Sequence, residues 1–323
     1  MSQAIPDRWE KTVSVILTCH NERDYIGAAI QSIVKQSWRE SLCEIIVVND
    51  GSSDDSQQVL EALAAETPLL RVIQTPGLRL PGARNVALRE VSGSIIAILD
   101  GDDLWEPTKL ERQLPMFDRS PRIGLVYSAF VEFLDGTDKE LVTFPRSFDA
   151  QTPDTLADYF VNDAPIIPSS VLIPKAVFDA VGLFDERFDT FGEDTEMWLR
   201  IATAYRFQEV PELLVRKRVH GIQITTNLAR HLPVAERLTH LATERSPELR
   251  PLIRKRLGRI CATAGHSSIK NGERMRGLGL LLRSLLLRPD HAKTWAYLVH
   301  ALLPTGLGGW VRGLRRALRD RKK

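Results

Sequence analysis

Within the stretch Ser94-Ile-Ile-Ala-Ile-Leu-Asp-Gly-Asp-Asp103, three carboxylates fall in four positions: Asp100, Asp102 and Asp103. Five consecutive apolar residues, Ile95 to Leu99, precede them. An apolar run of that length, rich in β-branched residues and closed by a turn signal, predicts a strand buried on both faces, as in the middle of a parallel sheet. The carboxylates then emerge at its C-terminal end, where open α/β sheets bind ligands. Three acidic groups so close repel one another. A divalent cation with its phosphate ligand would make the crowding tolerable. A solvated acidic turn capping the next helix would also explain it, above all for Asp103, which stands directly before Leu104-Trp-Glu-Pro107.

The elements that would position this stretch alternate between strand and helix. Val13–Thr18 predicts a first buried strand, Cys19-His20-Asn21-Glu22 a loop with Asn21 as helix N-cap, and Ile26, Ala29, Ile30, Ile33 and Val34 recur at helical spacing. Glu44–Val48 predicts a second strand that runs into Asn49-Asp-Gly-Ser-Ser53, with Ser53 or Asp54 capping the helix that carries Val59, Leu60 and Leu63. Arg71–Gln74 is a short third strand, Pro76-Gly77 and Pro81-Gly82 bracket a loop, and Gly82–Glu90 is a helix. The opening stretch is then the fourth strand. Such alternation builds βαβ units and a parallel sheet. No Gly-x-Gly-x-x-Gly follows the first strand and no Walker A sequence is present, which excludes the dinucleotide fingerprint and the P-loop.

After Asp103 the pattern is less regular. Thr108–Phe117 predicts a helix that Pro115 ends or kinks, Ile123–Phe133 a strand, and Leu141–Phe144 its hairpin partner across the Asp135-Gly136 turn. Thr152–Val161 and Pro174–Val181 are short helices and Ser169–Ile173 a strand. Glu193-Asp194 open a helix with Met197, Trp198, Ile201 and Ala202 inward, and Phe207–Val210 and Leu213–Val219 are two further strands.

The chain has 323 residues, 43% hydrophobic and 26% charged, which permits a sizeable core in one or two domains. No apolar run reaches the ~18 residues of a membrane span, and the N-terminal residues lack the apolar segment of a signal peptide. Three widely spaced cysteines (Cys19, Cys43, Cys261) suit a reducing cytoplasm and form no metal-binding pattern. Charge is unevenly placed. From Leu228 to Lys323 there are 21 Lys+Arg against 6 Asp+Glu, a balance of +15; the whole chain is +2, which leaves −13 on residues 1–227. An acidic body with a basic tail implies two modules with different partners, and the charge fits anionic lipid, nucleic acid or an acidic protein alike. No nucleic-acid motif accompanies it. The tail reads as helical over Leu252–Ile260, Met275–Leu287 and Lys293–Leu303. A last helix, Thr305–Arg319, would place Leu307, Trp310, Val311, Leu314 and Leu318 on one face and Arg312, Arg315, Arg316 and Arg319 largely on the other, as an interfacial helix does or as a surface helix packed on the body does.

Five blocks stand in an order that resembles family 2 glycosyltransferases with the GT-A fold. They are Val13-Ser-Val-Ile-Leu-Thr-Cys-His-Asn-Glu22, Val47-Val-Asn-Asp-Gly-Ser-Ser53, Pro81-Gly-Ala-Arg-Asn85, Ile98-Leu-Asp-Gly-Asp-Asp-Leu-Trp105 and Gly192-Glu-Asp-Thr-Glu-Met-Trp-Leu-Arg200. The resemblance implies a mixed central sheet flanked by helices over residues 11–226, with a helical basic C-terminal extension over 227–323. It implies a nucleotide-diphospho-sugar donor, a divalent metal (Mg²⁺ or Mn²⁺) and a single inverting displacement. The processive members' Gln-x-x-Arg-Trp motif and membrane spans are absent, which favours transfer of one sugar.

On that resemblance Thr18, Asn21 and Glu22 line the nucleotide. Asp50 accepts from a base edge such as the uracil imide, which favours a UDP-sugar, or is a turn residue before Gly51. Arg84 and Asn85 meet phosphate at a helix start, or Arg84 pairs with a nearby Asp. Asp100 contacts ribose or metal, Gly101 lets the backbone approach the donor, and Asp102 is the metal ligand. Asp194 is the catalytic base, with Glu193 the second candidate; first-turn helix acids are the other explanation of both. Trp198 and Arg200 pack and pair. His220 ligates the metal or touches phosphate and Arg218 neutralises it, unless both form an exposed basic strand end. The acceptor would be a hydroxyl of a glycan or lipid-linked molecule, in polysaccharide biosynthesis at the inner face of the membrane. Two other functions remain open at this point: a non-catalytic glycosyltransferase-like scaffold, and a nucleotidyltransferase, although the latter would need a Gly-rich basic loop after the first strand.

Overall fold

The computed structural model describes residues 11–137, 139–144, 156–162, 165–188, 191–220 and 231–302. The first residues of the expected Thr152–Val161 helix and the whole of the expected Thr305–Arg319 helix lie outside them. The chain divides into two compact units, 1–224 and 225–323.

In the first unit, four apolar runs form parallel strands: β1 (Val13–Cys19), β2 (Leu42–Asp50), β3 (Leu70–Thr75) and β4 (Ile95–Asp100), in the order β3-β2-β1-β4. Helices α1 (Ile26–Val34), α2 (Ser56–Glu66) and α3 (Arg79–Glu90) connect them. Every residue of β1 is buried, and Ile95 to Leu99 of β4 are at most 1% exposed, as the unbroken apolar runs require. Burying each of those large aliphatic side chains stabilises the fold by about 1.5–3 kcal/mol. That rigid interior fixes the acidic turn at the end of β4.

Beyond β4 the sheet becomes mixed. The short β8 (Val171–Pro174) pairs antiparallel with β4, Ile96 opposite Ile173, and with β6 (Ile123–Leu134). Strand β6 also pairs parallel with β9 (Arg206–Val219) and antiparallel with β7 (Glu140–Phe144). The two-residue β5 (Leu104–Trp105) closes the far edge against Val215 and Arg216 of β9. Helices α4 (Lys109–Gln113), α5 (Leu156–Asn162), α6 (Lys175–Val181) and α7 (Glu193–Ala202) complete the unit. Within it, α7 buries Met197, Trp198 and Ile201, while Ala202 is half-buried.

Several boundaries differ from the sequence reading, each for a local reason. The segments 207–210 and 213–219 are one strand: Val210 pairs with Ser128 and Leu213 with Ala129, so Pro211 and Glu212 bulge out where proline has no N–H to donate. Pro81 and Gly82 lie inside α3 instead of bracketing a loop, because the helix starts at Arg79 and a proline in the first turn has no partner to lose. Asn21 does not cap α1, which starts at Ile26; it adopts φ 59° in the preceding loop. Pro115 ends α4 early and the chain continues as a 3-10 turn, Leu114–Arg119. Ser169 belongs to a second 3-10 turn, Pro168–Ser170, ahead of β8.

The second unit is helical: α8 (Leu232–Arg245), α9 (Ile253–Lys270), α10 (Arg274–Leu287) and α11 (Ala292–Leu302). Helix α9 runs ten residues past Ile260 because Gly265 lets it meet α10 backbone to backbone. A Cβ on Gly265 would lie 2.9 Å from the Gly277 carbonyl oxygen, and one on Gly277 would lie 2.7 Å from that of Gly265.

Candidate functional site

The sheet brings the C-terminal ends of β1, β2 and β4 to one edge. Thr18 is in register with Val48 on one side and Asp100 on the other, and Asp50 ends β2 beside them. Thr18, Asp50, Asp100 and the Gly101-Asp102-Asp103 turn therefore converge. A Cβ on Gly101 would collide with the Glu22 carboxylate and lie 3.0 Å from the Thr18 carbonyl oxygen, so only glycine fits where these two loops touch.

Glu22 is half-buried beside this turn. Its Oε2 is buried with no hydrogen-bond partner. Burial, then the charges of Asp102, Asp100, Asp103 and Asp54, push its pKa well above the ordinary value. Burial and Asp100 likewise raise Asp102, although the His220 contact opposes them. The Asp102 Oδ2 lies 3.0 Å from His220 Nε2. The His220 ring stacks on Tyr25, with centroids 5.3 Å apart and planes 26° from parallel.

Asp103 is a structural cap. It is 1% exposed, its Oδ2 accepts the Ser169 hydroxyl at 2.6 Å, and its Oδ1 accepts the Arg218 backbone N–H at 3.0 Å. Arg218 is held by protein and not left open to phosphate. Its Nε donates to the Asp102 carbonyl at 2.9 Å and a terminal nitrogen to Asp135 Oδ1 at 2.8 Å. The Tyr25 hydroxyl donates to Asp135 Oδ2 at 2.8 Å.

Arg84 resolves in favour of carboxylate pairing. It is 1% exposed; one terminal nitrogen donates to Asp100 Oδ1 at 2.7 Å and the other to Glu193 Oε1 at 2.9 Å. Burial alone would lower its pKa, but Asp100 and Glu193 more than reverse that and raise it. The pair ties the end of β4 to the start of α7. Glu193 is consequently turned onto Arg84, which occupies one of its oxygens. Asp194, next along, is half-buried and close enough to add to the field that holds Arg84 charged; its Oδ1 accepts the Thr195 N–H at 2.5 Å. Arg200 pairs with Glu196 and donates to the carbonyls of Val181 and Leu183, and Trp198 is buried, as expected of both.

Asn85 differs from its expected role. Its Oδ1 accepts the Phe184 N–H at 2.9 Å, and its Nδ2 donates to the Phe184 carbonyl and to Glu186 Oε1, both at 2.9 Å. It clamps the 182–188 loop and offers no amide to a phosphate. Asn21 Oδ1 accepts the N–H groups of Ser53 and Asp54, which joins the loops that follow β1 and β2. Asp50 is a turn residue in that its Oδ1 accepts Thr75 Oγ1 at 2.6 Å and the Gly77 and Leu78 N–H groups at 3.2 and 2.6 Å. All three bonds fall on one oxygen.

Among the described residues no three His, Cys, Asp or Glu side chains are grouped to hold a metal ion by themselves. Asp102 and His220 supply one carboxylate and one imidazole, and the orphaned Glu22 oxygen with its crowded neighbours marks a deficit of positive charge. That donor set fits a hard divalent cation that takes its remaining ligands from phosphate and water. Tyr25, Asp135 and Ser169 are absent from the sequence-level site. Asp135-Gly136 signals only a turn and Ser169 only the approach to a strand; Tyr25 carries no local signal.

A parallel half-sheet continued by an antiparallel half, flanked by helices and with an acidic turn at the central strand end, defines the GT-A glycosyltransferase fold. Solved structures share it: S. aureus TarS residues 1–349 at a TM-score of 0.60, 18% identity and 90% of both chains, and a mannosyltransferase from Pyrobaculum calidifontis in complex with GDP-Man and Mn²⁺ at 0.58, 21% identity, 95% of this chain and 88% of the other. The chain belongs to glycosyl transferase family 2, whose profile matches residues 14–182. It is 33% identical over 130 residues to an uncharacterized glycosyltransferase of Nostoc sp., covering 40% of this chain and 39% of that one. It is 29% identical over 225 residues to another of Rickettsia typhi, covering 67% of this chain. The chain thus spans 39% and 66% of the length of these relatives.

Proposed function

We propose that the chain is a metal-dependent, inverting glycosyltransferase. It would move one sugar from a nucleotide-diphospho-sugar to a hydroxyl of a glycan or lipid-linked acceptor. The observation that carries this is the pairing of Asp102 with His220 at 3.0 Å, at a strand end that Arg84 ties to the helix bearing Asp194. On this reading donor phosphates and acceptor base would share one frame.

In this reading the nucleotide lies against Thr18, Asn21 and Asp50, and the ribose toward Asp100. Solved relatives in fold are in complex with UDP-GlcNAc and with GDP-Man and Mn²⁺. The free oxygen of Asp50 suits the imide N–H of uracil, which favours a UDP-sugar here. Asp102 and His220 would hold the cation, Mg²⁺ or Mn²⁺. When bound, the cation stabilises negative charge gathering on the departing nucleoside diphosphate. Asp194 takes the proton from the acceptor hydroxyl as it attacks the anomeric carbon. A base that deprotonates the acceptor hydroxyl as it attacks the anomeric carbon suits one displacement with inversion. Glu193 is held by Arg84 and leaves Asp194 that task.

No helix among the described residues is long and apolar enough to cross a membrane. The second unit nevertheless exposes Met275, Leu282 and Leu286 along one stripe of α10 and Trp295, Val299 and Leu302 along one of α11. With the basic balance of the tail and the Leu, Trp and Arg residues in the sequence of 305–319, we assign peripheral binding to an anionic bilayer on the cytoplasmic side, consistent with polysaccharide biosynthesis.

The test is release of nucleoside diphosphate from a panel of donors with Mn²⁺ or Mg²⁺. Wild-type protein should release it from one donor class, and Asp102→Asn should abolish release. Wild-type protein that neither releases nor binds any nucleoside diphosphate with Mn²⁺ present refutes the reading. Co-sedimentation with phosphatidylglycerol vesicles at low salt tests the bilayer assignment, which fails if the full chain stays in the supernatant.

A further inference from the structure

The residues that hold His220 against Asp102 are themselves held by a network none of whose outer members is explained by donor or acceptor contact. Arg218 lies at the end of β9 and His220 directly after it. Both rest on the Tyr25 ring: His220 stacks on it at 5.3 Å, and the Arg218 guanidinium lies 4.8 Å from its centroid. Arg218 is also 4.8 Å from the Phe133 ring, so it sits against two aromatic rings. Asp135 completes the assembly. One carboxylate oxygen takes the Tyr25 hydroxyl and the other takes Arg218, each at 2.8 Å. The Asp135 N–H also donates to the Val219 carbonyl at 3.0 Å, between Arg218 and His220.

We propose that Tyr25 and Asp135 are positioning residues for the Asp102–His220 pair. They form a brace that fixes the imidazole plane and locks the end of β9 onto the Asp102 turn. The inference rests on the metal reading above. Its chemistry is that of outer partners of metal ligands, which orient a ligand without touching the ion. Tyr25 supplies the surface on which the imidazole lies. Asp135 fixes Tyr25 through its hydroxyl and fixes Arg218, whose Nε holds the Asp102 carbonyl at 2.9 Å. Three elements far apart in the chain are thereby clasped around two side chains: the start of α1, the β6–β7 turn and the end of β9.

Mn²⁺ binding to the full chain, followed by electron paramagnetic resonance with and without UDP, tests this. Tyr25→Ala should weaken Mn²⁺ binding about 10- to 100-fold, the usual range for loss of an outer partner. Tyr25→Phe keeps the stacked ring but drops the bond to Asp135, and Asp135→Asn weakens the bonds to both partners; each should give a smaller loss in the same direction. The imidazole resonance of His220 in metal-free protein is a second readout, assigned with His220→Gln. Its ring-current shift should persist in Tyr25→Phe and vanish in Tyr25→Ala. If Tyr25→Ala does not fold, Tyr25→Phe and Asp135→Asn still read the hydroxyl half of the brace. Wild-type binding that these variants leave within about twofold, with an unmoved His220 signal, overturns the brace alone. Wild-type protein that binds no Mn²⁺ overturns the metal reading and the brace's role with it.

Discussion

Replacing Arg84 by methionine separates two views of this residue: a phosphate ligand for the donor, or a structural cation between two carboxylates. The side chain is 1% exposed, Glu193 is 5% exposed and Asp100 is 30% exposed. Methionine fills similar space and removes the charge. Two carboxylates then lose their shared partner, and one of them is fully desolvated. Removing one member of a buried pair costs about 3–5 kcal/mol. Asp100 is partly screened by solvent, so the lower end of that range, about 3 kcal/mol, is the expected loss. For a domain of this size that is a drop of about 6–12 °C in melting temperature.

The assay is thermal and urea unfolding, with calorimetric titration of UDP in the presence of Mn²⁺. Arg84→Met should melt at the lower temperature without any ligand present. Adding Glu193→Gln should recover part of the loss, because it removes one of the orphaned charges; contacting residues of this kind couple by about 0.5–3 kcal/mol. A melting temperature within about 2 °C of wild type, together with a large loss of nucleotide affinity, would show that Arg84 is a phosphate ligand. The structural argument for Glu193 would then fall as well.

Lys109 gives a pH-dependent outcome. It is fully buried with no partner for its Nζ, which lies 4.2 Å from the Trp105 ring, and burial pushes its pKa well below that of an ordinary lysine. The unfolded chain binds this proton more readily than the folded one, so wild-type stability rises with pH from the folded pKa up to the ordinary lysine value. Lys109→Met should therefore stabilise at pH 7, by about 1–3 kcal/mol, and the gain should shrink as pH rises; a destabilised variant in denaturant unfolding refutes this. Asn85→Ala should cost about 1–3 kcal/mol through the freed Phe184 amide groups, while UDP affinity with Mn²⁺ stays near wild type. A large fall in that affinity without loss of stability would return Asn85 to the donor site.

Much of the first unit is readable in the chain because its strands are buried on both faces. Val13–Thr18, Glu44–Val48 and Ile95–Leu99 need no distant information: unbroken β-branched runs leave few alternatives. Turn-bound glycines and the five ordered blocks add the rest of the parallel half. The second half is less readable. Strand β9 contains Pro211, and hydropathy cannot tell a strand end from a bulge when the partner strand lies some 80 residues away. Helix α9 outruns its apolar stretch because Gly265 and Gly277 replace side-chain packing with backbone contact, a pairing that periodicity does not encode.

The same distinction governs the site. Residue types at strand ends reveal where acids and bases gather, but which charge answers which is a matter of contacts across the fold. Arg84 meets Glu193 across 109 positions, Asp102 meets His220 across 118, and Tyr25 meets Asp135 across 110. Asp103 is the instructive contrast. Its neighbours Leu104-Trp-Glu-Pro107 already mark a structural role, and the structure adds the reason: Ser169 and Arg218 take both its oxygens. Of three adjacent carboxylates, one is thus held by Arg84, one by a hydroxyl and a backbone N–H, and Asp102 alone faces an imidazole. That asymmetry, not the acidity of the turn as such, is what favours Asp102 as the ligand of the proposed cation. It also means that a substitution at Arg84 or Ser169 should disturb the cation indirectly, by returning a second uncompensated carboxylate to the turn.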